Sequence, residues 1–215
     1  MAKHKISRKS TRIDMTAMCD VAFLLLSFFV MTATAKQPEP KPVDTPASTV
    51  IEKLPEDGVA VITVGDSAVF FTIPRNLRRG TLERVAKLKN VGFSEEDYKN
   101  FNSLEGFGVP LSKLKSLMAL KGDERTRPGI QGGIPYDSIN DQLGMWVEQA
   151  REANRQYLND QKDAGKPDVV IKDLDIAIKG DAKESYPTIK RVIDILQKQK
   201  KNRFFLVTGL RNKDF

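Results

Sequence analysis

The amino-acid sequence predicts an α+β protein with a single N-terminal transmembrane helix, a proline-rich linker and a mixed sheet-and-helix domain. Residues 15–35 are almost uninterruptedly apolar, and residues 36–58 hold five of the chain's 11 prolines. Runs typical of strands and helices follow in residues 59–215. About 155 residues are enough to bury one hydrophobic core. With one cysteine in the chain no internal disulfide can form, so packing must hold this domain together.

The apolar segment 15–35 has the length of a membrane-spanning helix. Its 21 residues would form a helix of about 31 Å, and the hydrocarbon core of a bilayer is about 30 Å thick. A secretory signal peptide is the alternative, since the start is basic and Ala33-Thr34-Ala35 resembles a cleavage site. The long polar lead and the acids Asp14 and Asp20 favour an uncleaved anchor instead. A lipid anchor at Cys19 is excluded because the apolar run follows the cysteine.

The charges beside the helix predict its orientation. Five Lys or Arg side chains precede it, at positions 3, 5, 8, 9 and 12, whereas Lys36 beyond it is soon followed by Glu39. Cytoplasmic flanks carry the excess of Lys and Arg. We therefore expect residues 1–14 to form a cytoplasmic tail and residues 36–215 to lie outside the cytoplasm.

One carboxylate, Asp20, lies inside the predicted span. A charged side chain costs on the order of 2.5–3.5 kcal/mol near the centre of a membrane helix and less towards the interface. Such residues usually face a helix bundle or a wet path, where they are paired or take up a proton. Asp20 is therefore the candidate functional residue. In the alternative interpretation it marks the membrane boundary and reaches back into the headgroups.

The linker, residues 36–58, carries its prolines among Lys, Glu, Asp and Thr. This composition predicts an extended, semi-rigid tether of about 3.1 Å per residue, or about 68 Å over roughly 22 residues. Such a tether suits the stator of a motor as well as an inert spacer, and the sequence does not distinguish the two.

The first half of the outer domain begins with a predicted hairpin, whose strands at residues 59–64 and 68–73 flank Gly65-Asp66-Ser67. A helix at residues 82–88 follows, Ser94 is a predicted helix cap, and a short helix comes after Pro110. The longest helix is predicted at about 136–160, with an apolar face of Ile139, Leu143, Trp146, Val147, Ala150 and Tyr157.

In the second half of the outer domain, the sequence predicts an extended run at 169–171 and a half-buried strand at 174–179. A helix opened by Ser185 and Pro187 then precedes a closing strand at 203–208. The helix has an apolar face of Ile189, Val192, Ile193 and Leu196.

Composition excludes several function classes. The net charge of +7 is spread over a mixed surface without a basic stripe interleaved with aromatics, so no nucleic acid partner is expected. The sole histidine, His4, lies in the tail, which excludes a His-based catalytic site or metal site in the outer domain. Asp173 and Asp175 share a strand face, but two carboxylates favour a solvated edge over a metal. Gly106-x-Gly108 predicts a turn. We expect no enzyme activity, cofactor or metal.

The membrane segment resembles the signature of the ExbD/TolR family of biopolymer-transport proteins. Residues 13–21 read IDMTAMCDV and continue into Leu-Leu-Leu and Met-Thr-Ala. The family has a Thr-Pro, two apolar residues and an intramembrane Asp, so Thr16 and Asp20 match the Thr and the Asp. Ala17 stands where the family has Pro, and Asp14 where Asn is usual. The resemblance implies that Asp20 carries protons, and that Thr16 and Ser27 on the same helix face support the proton path.

The order of strand, Gly-Asp turn, Tyr-Pro helix and strand near the C-terminus also resembles the periplasmic domain of this family. The resemblance covers residues 12–74 and 169–210, so 75–168 is interpreted as a helical insertion into an ExbD/TolR-like domain at 59–215.

The resemblance implies a single-pass protein of the bacterial inner membrane. It implies a proton-motive-force-driven stator and proton-channel subunit, acting with an ExbB/TolQ-like pentamer and with a second copy of itself in the pore. A TonB-like protein, or peptidoglycan, would be the client. The alternatives are a TolR-like or gliding-type stator, and a single-span or secreted periplasmic binding protein.

Overall fold

The computed structural model describes residues 15–33, 39–48, 55, 58–165 and 170–210. The chain divides into two units, Met1–Lys36 and Gln37–Phe215. Of the predicted cytoplasmic tail, residues 1–14 lie outside the described residues, as do most of 49–57.

The first unit contains one helix, α1 (Met15–Thr32). Its 18 residues correspond to about 27 Å. The predicted segment extended to residue 35, but the last described residue is Ala33, whose N–H donates to the carbonyl of Phe29 at 2.8 Å. The helix ends at Thr32, three residues before the predicted end of the segment.

The second unit contains a mixed sheet, which confirms the predicted α+β class. The strands are β1 (Ala47–Ser48), β2 (Val59–Gly65), β3 (Ala68–Thr72), β4 (Asp175–Gly180), β5 (Phe205–Val207) and β6 (Gly209–Leu210). Four of them form a sheet in the order β3-β2-β4-β5, and β1 pairs with β6 in a small parallel sheet. β2 is antiparallel to β3 and parallel to β4, and β4 is parallel to β5.

The predicted hairpin is formed by β2 and β3. Asp66 and Ser67 connect the strands, with φ angles of 52° and 57°. Two successive positive φ angles are those of a type I′ turn, whose twist matches that of paired strands. The local sequence was sufficient to predict this element.

The helices of the second unit are α2 (Arg75–Lys89), α3 (Glu95–Asn102), α4 (Leu111–Ala119), α5 (Gly122–Arg125), α6 (Gln142–Asp163) and α7 (Tyr186–Lys198). The cap at Ser94 is confirmed: its Oγ accepts from the Asp97 N–H at 3.2 Å, and the Asp97 carboxylate accepts from the Ser94 N–H at 2.9 Å. α2 begins seven residues before the predicted start at 82, directly after Pro74.

The longest helix begins later than predicted. α6 starts at Gln142, because the Asp141 carboxylate caps it by accepting from the Gly144 N–H at 2.7 Å. Residues 136–141 form a loop closed by a bridge between Tyr136 and Asp141. Ile139 is therefore fully exposed, and its placement on the buried face was wrong. The rest of that face is buried or half-buried as predicted.

Trp146 of α6 lies in the core between the sheet and the helices of residues 75–168. Its indole stacks on Phe101 at 6.0 Å and meets Phe107 edge-on at 4.7 Å between ring centroids. Phe107 in turn contacts Phe71 of β3, and all of these side chains belong to one buried cluster with Ile62 and Ile178. The helices therefore share the hydrophobic core of the sheet.

β4 differs from the half-buried strand expected from its alternating sequence. Ile176, Ala177 and Ile178 are all buried, since β4 lies inside the sheet and both of its faces are covered. Val170 and Ile171, expected in an extended run, precede β4 and are exposed by 76% and 45%.

Residues 39–48, which we call the strap, lie on the second unit although composition predicted an extended tether there. The Glu39 carboxylate pairs with Lys179 of β4 at 2.6 Å, and Lys41 pairs with Asp66. The Ala182 N–H donates to the carbonyl of Asp44 at 2.7 Å, and β1 at the end of the strap pairs with β6. Part of the predicted linker is thus packed structure.

Candidate functional site

Large apolar side chains project from every side of α1, and only a few polar side chains interrupt them. None of its residues is buried, and its large apolar side chains are exposed by 52–88%. A helix with so little polar surface is found inside a protein core or in a membrane. α1 is the one described helix that is long and apolar enough to cross a bilayer.

The three candidate proton-path residues lie on one face of α1. Successive residues of an α-helix are rotated by about 100°, so Thr16, Asp20 and Ser27 fall within about 40° of one another. Thr16 is one turn before Asp20, and Ser27 is two turns after it. The sequence spacing alone determined this alignment once the helix formed.

Asp20 and Thr16 have exposed side chains, and Ser27 is half-buried. The Ser27 hydroxyl donates to the carbonyl of Leu24 at 2.9 Å, and the hydroxyl of Thr32 likewise donates to Phe28 at 2.7 Å. Both hydroxyl protons are donated to backbone carbonyls of the same helix, a bonding mode common for Ser and Thr in apolar helices. The Ser27 oxygen keeps lone pairs that can accept from water.

In the second unit, the described residues contain no group of three or more His, Cys, Asp or Glu that could hold a metal ion. Asp173, considered above as half of a carboxylate pair, accepts two hydrogen bonds of 3.0 Å from the guanidinium of Arg151. Lys201 adds an ion pair at 3.2 Å, whereas Asp175 pairs with Lys172. The two carboxylates are thus bound to different cations.

The Arg151–Asp173–Lys201 cluster joins three parts of the domain, and sequence reasoning did not find it. Partial burial would raise the pKa of Asp173, but the hydrogen bonds from Arg151 and the charge of Lys201 outweigh it and lower that pKa below its usual value. Arg151 also donates to the carbonyl of Gln199 at 2.9 Å. These residues lie more than 20 positions apart, so no local pattern could have indicated them.

A cavity of about 950 Å³ lies beside this cluster, and one of about 610 Å³ lies between the loop 136–141 and α7. The larger is lined by Lys172, Lys200, Lys201 and Arg203 together with the carboxylates of Asp173 and Asp175. Because four of these charged side chains form two ion pairs, Lys172–Asp175 and Lys201–Asp173, the cavity has the features of a structural ion-pair cluster.

Comparison with known proteins identifies the family. A sequence model described as Biopolymer transport protein ExbD/TolR matches residues 7–210, nearly the whole chain. The chain belongs to the ExbD/TolR family. No curated protein and no solved structure is significantly similar to it.

ExbD/TolR membership confirms the family indicated by residues 13–21 and assigns the chain to biopolymer transport, in a family that is not enzymatic. Proteins of this family generally work with ExbB/TolQ-type membrane partners. Together with α1, this fits a single-pass inner-membrane protein. The match extends through residues 75–168, although those residues carry no part of the signature. Their interpretation as an insertion stays a prediction.

Proposed function

We propose that this ExbD/TolR protein is the proton-carrying stator subunit of an ExbB–ExbD-type inner-membrane motor. One observation carries the proposal: Asp20 is the sole charged side chain of the largely apolar helix α1, and the resemblance of residues 13–21 to the family signature matches it to the intramembrane Asp. Desolvation favours the neutral form of a carboxyl group, and a wetter surrounding favours the ionised form. A side chain that alternates between the two surroundings can move a proton.

The membrane partner is a pentamer of the ExbB/TolQ kind, with α1 and the α1 of a second copy in its central pore. One charge that crosses 100 mV releases about 2.3 kcal/mol, so a few protons supply enough energy for a rotational step. Thr16 and Ser27 support the path on the same face as Asp20. Ser27 does so as an acceptor of hydrogen bonds from water, since its own proton is held by Leu24.

The N-terminus lies in the cytoplasm and residues 36–215 in the periplasm, as the Lys and Arg before the helix indicate. The outer domain passes the motion to a TonB-like protein, and so energises TonB-dependent transport across the outer membrane. A TolR-like or gliding-type stator uses the same membrane chemistry with another client, for which peptidoglycan is a candidate. The family match is equally consistent with a TonB-type stator and with a TolR-like or gliding-type stator.

The test is Asp20→Asn, which keeps the size of the side chain and removes its ability to lose a proton. We expect an assembled, inactive protein: energy-dependent uptake or envelope integrity falls to the level of a deletion strain. Assembly is checked by copurification of the ExbB/TolQ-like partner. Asp20→Glu retains the proton chemistry one methylene away and should keep partial activity.

Ser27→Ala is the matched control on the same face. Because Ser27 bonds within its own helix, we expect its loss to reduce function less than either change at Asp20. Normal function of Asp20→Asn at normal expression would mean that Asp20 is a boundary residue, and the proton-carrying role would be wrong.

A further inference from the structure

The strap, residues 39–48, lies across the face of the sheet opposite the large core. Side chains alternate along a strand, and Ala60, Ile62 and Val64 of β2 belong to the core cluster. Gly65 of β2 and Lys179 of β4 therefore point to the second face. The strap reaches both, because Val43 contacts Gly65 and Glu39 pairs with Lys179.

Val43 occupies a space that exists only because residue 65 is a glycine. A Cβ atom on Gly65 would lie 2.8 Å from Cγ1 of Val43, which is closer than two such carbons approach. Pro40, three residues earlier, lies beside Gly106, where a Cβ would be 3.1 Å from the proline ring. Gly106 belongs to residues 75–168, which we call the helical block. The strap thus packs against a surface formed by the sheet and by the helical block. We call this surface the seat of the strap.

The remaining contacts of the strap are polar: two ion pairs, the β1–β6 pairing, and hydrogen bonds that the carbonyls of Asp44 and Pro46 accept from the N–H groups of Ala182 and Gly209 at 2.7 and 2.9 Å. In the ion pairs, Lys41 and Asp66 are 34% and 81% exposed, and Lys179 and Glu39 are 20% and 44% exposed. Exposed ion pairs contribute little to stability, and the pairing of β1 with β6 covers two residues on each side. Such a segment can leave its seat without unfolding the core.

We propose that the strap is a releasable section of the tether, so that the outer domain is held on a short connection when the strap is seated and on a long one when it is released. With the strap seated, residues 33–38 alone join Thr32 to Glu39, and six residues reach about 19 Å at 3.1 Å each. With the strap released, residues 33–58 reach about 80 Å before β2 begins. Release also uncovers Gly65 and Lys179 on the second face of the sheet, against which Val43 and Glu39 now lie. The functional part of this proposal rests on the stator role proposed above.

The test locks the strap with a disulfide in the full-length protein. Val43→Cys and Gly65→Cys place a sulfur at the position of Cγ1 against the new Cβ, within the reach of a disulfide. The background is Cys19→Ser, which removes the chain's sole native cysteine. Membranes and cells are treated with an oxidant and then with a reductant, and each single-cysteine variant is the matched control.

We expect an intramolecular disulfide in the double variant, seen as a faster monomer band on a non-reducing gel. The oxidised protein should copurify with its membrane partner yet lose at least tenfold in energy-dependent function, and the reductant should restore it. If Gly65→Cys does not fold, Glu39→Cys with Lys179→Cys and a short bismaleimide cross-linker replaces the pair, because these side chains already touch.

Three results would overturn the releasable strap: no intramolecular cross-link with either pair, a cross-link that joins two chains only, or full function of the locked protein. Asp20→Asn is measured in parallel. If it is inactive while the locked protein works, the stator role stands and the strap does not act as a releasable section. If Asp20→Asn works normally, both the stator role and the function of the strap fail.

Discussion

At the scale of single residues, two aspartates have different surroundings, which suit them to different chemistry. Asp20 projects from an apolar helix with the hydroxyl residues Thr16 and Ser27 on its face. Asp173 accepts two hydrogen bonds from Arg151 and an ion pair from Lys201, which hold it ionised and fixed. A carboxylate that must exchange a proton needs the first kind of surrounding, and one that joins elements needs the second.

Asp173→Asn should destabilise the outer domain by about 1–2 kcal/mol at pH 7. The value lies at the low end for charged hydrogen bonds because 35% of the side chain is exposed and solvent screens the charges. The pKa of Asp173 is lowered in the folded state. Its contribution is therefore complete above the unfolded value of about 3.9 and is lost as the pH falls through the folded value.

Urea unfolding of residues 37–215 at several pH values measures this effect. The difference between the wild type and Asp173→Asn should shrink as the pH falls below about 4. Asp175→Asn is the control, since it removes a single ion pair with Lys172, and it should change stability less. An equal difference at pH 7 and pH 3 would show that the charge of Asp173 does not matter.

At the scale of elements, the helical block protects one edge of the sheet. Phe107 exchanges hydrogen bonds of 2.8 and 3.0 Å with Phe71 of β3, and the Ile134 N–H donates to the carbonyl of Val69 at 2.8 Å. The predicted turn at Gly106-x-Gly108 is thus part of a segment that lies along β3. An unpaired strand edge can pair with another chain, and this arrangement prevents that at β3.

Gly133 is a position at which this edge contact requires glycine. Its φ is +98°, and a Cβ there would lie 3.0 Å from the backbone nitrogen of Val69. Gly133→Ala should therefore lower the free energy of unfolding by about 1–3 kcal/mol. Gly132→Ala is a matched control one residue away, because a Cβ at Gly132 meets nothing within 4 Å.

Thermal unfolding of the two variants tests the prediction. We expect Gly132→Ala to remain close to the wild type and Gly133→Ala to unfold at a clearly lower temperature. If the two variants have the same midpoint, the segment beside β3 does not need the backbone conformation that glycine allows.

At the scale of the whole molecule, the outer domain is one folded unit in which residues 75–168 carry much of the core. Trp146, Phe101 and Phe107 from this block share a cluster with Ile62 and Ile178 of the sheet. Arg151 and Asn154 of α6 also bond to Asp173 and to the carbonyl of Lys172, just before β4. The block is integrated into the domain, whatever its origin within the family.

Replacing residues 81–165 by a short Gly-Ser link should abolish cooperative unfolding of residues 37–215. The sequence by itself suggested that the flanking parts could fold alone, but the deletion would remove Trp146 and expose Phe71, Ile62 and Ile178 to water. Exchanging the exposed loop residues 137–140 for Gly and Ser is the control and should leave the transition intact. A sharp transition in the deletion variant would show that the sheet and α7 are sufficient.

The sequence by itself determined the features that depend on neighbours along the chain. The apolar helix with Asp20, Thr16 and Ser27 on one face follows from composition and from the helical period. The β2–β3 hairpin and the capping box at Ser94 follow from turn and cap chemistry, which acts within a few residues.

The tertiary structure decided what depends on residues far apart in sequence. β4 lies between β2 and β5, and its side chains are buried on both faces of the sheet, which an alternating pattern does not reveal. The strap lies on the sheet because Gly65 leaves room for Val43 and Lys179 meets Glu39, 140 residues away. Composition describes how a free segment would behave, and only the folded surface determines whether it binds.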